Sequence, residues 1–161
     1  MPGLWDFAGL WRIDRMVENS AGPDARFAGQ VRFTAGDGGL WQAEDGVMRM
    51  AGQQMRATRR YHWRAQAGLI RVDFADGRFF HAFDPAQDHP TAHHDCPPDS
   101  YAVTYDLSAW PEWRVTWRVH GPRKAYCMSS HLLPVASNAC QGATAGAEIG
   151  VNNSSEQEEG Q

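Results

Sequence analysis

Apolar and polar residues alternate in short runs along most of the first 133 residues, the repeat of strands that bury one face. The runs predict strands over Trp11–Val17, Arg26–Thr34, Leu40–Met50, Met55–Arg64, Leu69–Ala75, Arg78–Phe83, Tyr101–Leu107, Trp113–His120 and Arg123–Leu133. Turn chemistry separates them: Asn19–Asp24, Gly36–Gly39, Asp76-Gly77, Trp110–Glu112 and Gly121-Pro122. Asp45-Gly46 predicts a bulge or kink inside the third strand. Residues 3–10, GLWDFAGL, predict one short helical turn. The stretch 84–98, DPAQDHPTAHHDCPP, reads as an irregular loop, because its prolines remove ladder donors.

About nine short strands joined by hairpin-length links predict an all-β fold, an antiparallel up-and-down barrel. Closing the sheet disposes of its exposed edges. An immunoglobulin-type sandwich lacks support, since no Cys…Trp…Cys pattern is present. From Pro134 onward, Ala, Gly, Asn, Ser and Glu replace the large apolar residues. That composition predicts a barrel domain over 1–133 and a disordered tail over 134–161.

Charge narrows the partners. The formal net charge is −4, and no strongly basic region suits a nucleic acid. Of 15 basic residues only Lys124 is lysine. A GC-rich coding sequence explains this plainly; carboxylate recognition by guanidinium forks is the sharper reading. Seven tryptophans suit an aromatic lumen or ordinary core packing. The start lacks the basic and apolar regions of a signal peptide, and no apolar run is long enough for a membrane helix. Cys96, Cys127 and Cys140 stand at unrelated spacings, so a disulfide framework is not expected, and the cytoplasm is the expected compartment.

Gly9-Leu10-Trp11 resembles the Gly-x-Trp signature that opens lipocalins and other calycins. The resemblance implies a barrel whose base is plugged by Trp11, with a late arginine, here Arg123, packed over it. Gly77-Arg-Phe-Phe-His81, His94-Asp-Cys96-Pro-Pro-Asp99-Ser-Tyr101 and Gly121-Pro-Arg-Lys-Ala-Tyr126 together resemble the bacterial family designated domain of unknown function 6314, over roughly residues 5–133. That resemblance implies a fold and no established activity.

Several residues are candidates for chemistry. Arg59, Tyr61 and Trp63 share one strand face, and an inward arginine needs a carboxylate of the protein or of a ligand. Tyr101, Val103 and Tyr105 share a face, as do Trp113, Val115 and Trp117. Alternation puts His81 between Phe79 and Phe83, where burial would keep its imidazole neutral. The expected ligand-binding set is therefore Arg59, Tyr61, His81, His94, Cys96, Tyr101, Tyr105, Trp117 and Tyr126. His81, His94 and Tyr101 are the candidates for acid–base catalysis. No cofactor is expected. A weaker alternative makes His81, His94 and Cys96 ligands of zinc or haem, with His89, His93 and Asp95 nearby. Solvated loop histidines and a core histidine satisfied by a neighbour are the plainer readings of the same residues. Arg71 and Asp73 read as exposed, with an internal ion pair between them as the alternative; Lys124 reads as a surface residue and Cys127 as a small core residue. No phosphate loop or nucleophile elbow is present.

Four functions compete. The first is a barrel binding a small apolar or amphipathic molecule; the second is an enzyme acting on a lumen-bound substrate. An interaction protein with a solid core and a haem or metal protein follow. Nothing in the sequence fixes an oligomeric state.

Overall fold

The computed structural model describes residues 1–135 of the chain. It has one 3-10 turn, Leu4–Phe7, and ten strands. These are β1 Gly9–Asn19, β2 Ala25–Gly36, β3 Gly39–Met50, β4 Gln53–Gln66, β5 Leu69–Phe74, β6 Phe79–Phe83, β7 Thr91–Cys96, β8 Asp99–Asp106, β9 Trp113–His120 and β10 Ala125–Pro134. All lie in one antiparallel sheet, in the order β6-β5-β4-β3-β2-β1-β10-β9-β8-β7. Every neighbouring pair is consecutive in the chain except β1 with β10, which places Ile13 opposite Leu132, and the only consecutive strands that do not pair are β6 and β7. The fold is the predicted all-β up-and-down barrel.

The two ends of the strand order, β6 and β7, meet through side chains. Phe80 packs edge-on against His94 with ring centroids 5.4 Å apart. Behind that contact His81 of β6 hydrogen-bonds Tyr105 of β8 at 2.8 Å, and Phe83 stacks on Tyr105 at 3.9 Å. The barrel is nearly closed, and its seam is aromatic.

The tenth strand is β7, inside the stretch expected to be a loop. Pro90 and Pro97 bracket Thr91–Cys96 without entering it, so all six residues keep their amide donors. The strand ladders with β8 alone, Thr91 opposite Thr104 and Cys96 opposite Asp99. An edge position tolerates flanking prolines that a central strand would not.

Two further expectations about register change. No bulge occurs at Asp45-Gly46: β3 pairs without interruption with both β2 and β4. Instead Gly29 and Gly46 face each other. A Cβ on Gly29 would lie 2.2 Å from the Asp45 carbonyl oxygen, and one on Gly46 would lie 2.3 Å from that of Ala28. The pair lets two backbones approach where any side chain would collide. The bulge falls where β5 meets β6, between Val72 and Asp73. It turns both Phe80 and His81 into the core and leaves Phe79 outside, so Phe79, His81 and Phe83 do not share a face.

The core is densest at one end. The Leu4–Phe7 turn folds across it, and Phe7 packs on Trp63, Trp110 and Trp113 at centroid distances of 5.1, 4.8 and 5.3 Å. Trp11 Nε1 donates to the Phe7 carbonyl at 2.8 Å, so the indole is buried with its polar atom satisfied. Trp11 thus plugs the base, but Arg123 does not cover it. Arg123 is exposed just before β10 begins, whereas Trp11 pairs with Pro134 at the other end of that strand. About ten residues of strand, roughly 30 Å, separate the two. Trp110 and Trp113 lie against Trp11 instead.

Strand β10 runs to Pro134, and the amide of Val135 still donates to Leu10 at 3.1 Å. The last strand therefore runs one residue past Leu133, and one further backbone hydrogen bond ties Val135 to β1. The rest of the predicted tail, with Cys140, lies outside the described residues. Among the described residues no helix is long and apolar enough to cross a membrane.

Candidate functional site

Strand register sorts the inward positions into layers above the tryptophan base. The first layer is polar. Arg15 Nη1 and Nη2 donate to the two Glu44 carboxylate oxygens at 2.9 and 2.8 Å, and Arg15 Nε donates to Ser130 Oγ at 2.8 Å. Gln42 Nε2 also donates to Glu44, at 3.1 Å, and Trp63 Nε1 donates to the Gln42 side-chain oxygen Oε1 at 2.7 Å. Four strands meet in this network, with Arg15 6 % and Glu44 4 % exposed. A bidentate, fully paired arrangement of this kind is what a desolvated ion pair requires.

None of Arg15, Gln42, Glu44 and Ser130 was expected inside. The signal was nonetheless there, because Arg15 is in phase with Trp11 and Ile13, and Glu44 with Leu40 and Gln42.

Beside this network His81 and Tyr105 form a buried pair. Burial, helped by His94, lowers the His81 pKa to about 3, so the ring is neutral at ordinary pH. Burial pushes the Tyr105 hydroxyl far up, and Tyr61 adds to the effect. A cavity of about 30 Å³ lies here, lined by residues including Gln42, Trp63, His81, Tyr105 and Trp113. It has room for one or two water molecules.

The next layer is aromatic. Tyr61, Phe80 and Trp117 meet at centroid distances of 6.1 Å (Tyr61–Phe80), 6.2 Å (Tyr61–Trp117) and 5.0 Å (Phe80–Trp117). Tyr101 joins Phe80 at 5.9 Å and His94 does so from β7. Above it exposure climbs along β4: Trp63 and Tyr61 are buried, Arg59 and Ala57 half-buried, and Met55 is 46 % exposed. On the β4 side this end opens into a mouth above an aromatic floor, while Val119 on β9 stays buried across from it.

Arg59 sits in the mouth. Its guanidinium lies 5.8 Å from the Trp117 ring centroid and donates a long hydrogen bond of 3.4 Å to the Tyr61 hydroxyl. It has no carboxylate partner among the described residues. Burial raises the pKa of Tyr61 and of Tyr126, which keeps both protonated.

Most of the expected binding residues therefore gather around one lumen, with Arg59, Tyr61, His94, Tyr101 and Trp117 toward the mouth and His81 with Tyr105 below. Tyr126, opposite Val119, is half-buried in the same inward phase near the rim. Cys96 does not join them; it is exposed at the end of β7. With Cys96 outside and His81 buried beneath the floor, the three-ligand alternative has no common centre. No group of three histidine, cysteine, aspartate or glutamate side chains converges as metal ligands among the described residues.

His89, in the loop before β7, and His93, on β7 itself, are both solvated, His89 beside Asp106 at 3.4 Å and His93 beside Asp95 at 2.9 Å. Arg71 and Asp73 depart from expectation: Asp73 is buried on the outer sheet face, held by Arg71 at 2.7 Å and Arg64 at 3.4 Å. Lys124 is exposed and lies 3.5 Å from Asp99. Cys127 is half-buried and out of phase with the inward Tyr126 and Met128, so it is not in the core.

The S-type phycobiliprotein lyase CPES from Guillardia theta has a similar structure, with a TM-score of 0.56 and 7% identity, covering 80% of this chain and 88% of that one. This shared fold is a lipocalin-like barrel. No curated protein matches the chain significantly. The family model described as a family of unknown function, DUF6314, matches residues 7–133, the whole of the barrel from the basal turn into the last strand, and the chain belongs to that family.

Proposed function

We propose that the barrel binds a small amphipathic molecule with an anionic group, seated in the open mouth on the Tyr61–Phe80–Trp117 floor. The observation that carries this reading is the contrast between two inward arginines. Arg15 is matched by Glu44 and Ser130, while Arg59 lies half-buried on an aromatic ring without an acid. A partly desolvated guanidinium gains most from a carboxylate-like partner. The surrounding aromatic faces suit an apolar or conjugated body. A fold neighbour that is a phycobiliprotein lyase supports a barrel of this type working in small-molecule chemistry. Its low identity lends the fold and no ligand.

Two fluorescent probes of similar body test the reading. 1-Anilinonaphthalene-8-sulfonate is anionic, and N-phenyl-1-naphthylamine is its neutral counterpart. The sulfonate should bind saturably, and Arg59→Met should weaken it about 10- to 100-fold, the loss of one charge-assisted hydrogen bond. The neutral probe should shift little with Arg59→Met, while Trp117→Ala should weaken both. Equal insensitivity of both probes to both substitutions would remove the mouth as a site.

A further inference from the structure

The buried His81–Tyr105 pair leaves a proton account to be closed. A tyrosine hydroxyl has one proton to donate, and a neutral imidazole has one N–H and one bare nitrogen. His81 Nε2 is the Tyr105 hydroxyl's hydrogen-bond partner, at 2.8 Å. His81 Nδ1 and Trp113 Nε1 are both buried without a hydrogen-bond partner among the described residues. Each of the two residues is about 2 % exposed, and both line the 30 Å³ cavity.

Suppose the imidazole donated to Tyr105. The hydroxyl proton would then be left without an acceptor, alongside a bare Nδ1 and the Trp113 N–H. If Tyr105 donates to Nε2 instead, only two groups remain unmatched. Each unsatisfied buried group costs about 1–3 kcal/mol, so the second arrangement is favoured. It makes His81 the Nδ1–H tautomer. Both unmatched groups are then donors, and what they lack is an acceptor.

We infer that the cavity is a binding site for one neutral oxygen acceptor, a water or the carbonyl oxygen of a ligand, held between His81 Nδ1–H and Trp113 Nε1–H. The volume fits a water-sized group. Neutrality follows from the lining, since Glu44 already contributes a carboxylate that Arg15 matches. A second carboxylate beside it would meet two weak dipoles and no free cation. The site stands below the Tyr61–Phe80–Trp117 floor and does not depend on the reading of Arg59.

Side-chain nitrogen NMR on the full chain tests this. His81 should show a protonated Nδ1 and a bare Nε2, unchanged between pH 5 and 8. Cross-peaks from both the His81 Nδ1–H and the Trp113 indole N–H to water would identify water as the acceptor. A joint shift of those two resonances on adding acetamide, with loss of the water cross-peaks, would identify a carbonyl. A protonated Nε2, or two N–H groups that respond independently, would overturn the inference. Trp113→Phe should move the His81 Nδ1–H signal. If that variant does not fold, Tyr105→Phe supplies the control: with the hydroxyl gone, the oxygen acceptor should still hold the Nδ1–H form, and a switch to Nε2–H would show that nothing accepts from Nδ1 and overturn the inference.

Discussion

Replacing each inward arginine by methionine separates architecture from function. Methionine keeps length and apolar bulk and removes only the guanidinium. At Arg15 three hydrogen bonds of 2.8–2.9 Å disappear. Glu44 remains 4 % exposed, with Gln42 its one remaining donor. Stranding a buried charge this way costs about 3–5 kcal/mol, or roughly 10–15 °C in Tm for a domain of this size. At Arg59 the structure offers one 3.4 Å bond to Tyr61 and one ring contact with Trp117. Those are worth about 1 kcal/mol at most, partly regained by methionine packing. Urea unfolding followed by tryptophan fluorescence should therefore show Arg15→Met strongly destabilised and Arg59→Met within about 1 kcal/mol of the parent. Arg15→Met combined with Glu44→Leu should recover most of the loss, since no charge is left stranded. Equal destabilisation by the two single substitutions would refute the reasoning, because Arg59 would then be held by the fold and not reserved for a ligand.

Three more outcomes follow from the same structure. His81 has its pKa lowered to about 3 from an unfolded value of 6.5, so below pH 6.5 the unfolded chain takes up a proton that the folded one refuses; stability should fall as pH drops from 6.5 toward 3, by about 2 kcal/mol between pH 7 and 5, and His81→Gln should flatten that slope in urea midpoints. Gly46→Ala puts a methyl 2.3 Å from the Ala28 carbonyl oxygen, and a backbone atom cannot rotate away, so a loss of at least about 2 kcal/mol is expected by thermal unfolding. Arg123→Ala, at an exposed loop position, should change Tm by no more than a degree or two, against the basal role that the calycin resemblance implies.

Period-two reading reached the barrel because alternation survives wherever a ladder is unbroken. The face shared by Arg59, Tyr61 and Trp63, and that shared by Trp113, Val115 and Trp117, both point inward along strands without a bulge. Alternation failed at Phe79–His81 because the cause lies partly on another strand. The extra residue accommodated opposite Val72 and Asp73 brings Phe80 inward as well as His81, and a one-residue slip reverses every assignment beyond it. Strand β7 escaped for a related reason: its prolines are forbidding in a central strand and harmless beside an edge. The buried polar layer was legible in phase but not in chemistry. Arg15 and Glu44 occupy inward positions on strands 29 residues apart in sequence, and only the barrel's curvature brings them within reach of each other. Charged residues read singly belong outside; paired, these two belong in.

How polar groups are matched along the lumen axis bears on the choice between a ligand barrel and a solid interaction domain. A barrel whose interior served packing alone would match its buried donors, since each unmatched one costs stability and gives nothing back. This interior gives every side-chain nitrogen of Arg15, Gln42, Trp11 and Trp63, and both Glu44 oxygens, at least one hydrogen-bond partner, so the fold has no general difficulty in doing so. Among the described residues, the lumen groups left short are Arg59 at the mouth, which has Tyr61 but no acid, and, below the floor, His81 Nδ1 and Trp113 Nε1, which have no partner. They lie along the lumen and not on the outer sheet face, where Asp73 has two arginines. Selective incompleteness along the one path a small molecule would occupy favours a ligand. A ligand that binds only the folded barrel would add about 2.7 kcal/mol of stability at a hundredfold excess over its Kd. Protein isolated with its ligand should therefore melt several degrees above the stripped chain, and a matching melt for both would return the weight to the solid-core reading.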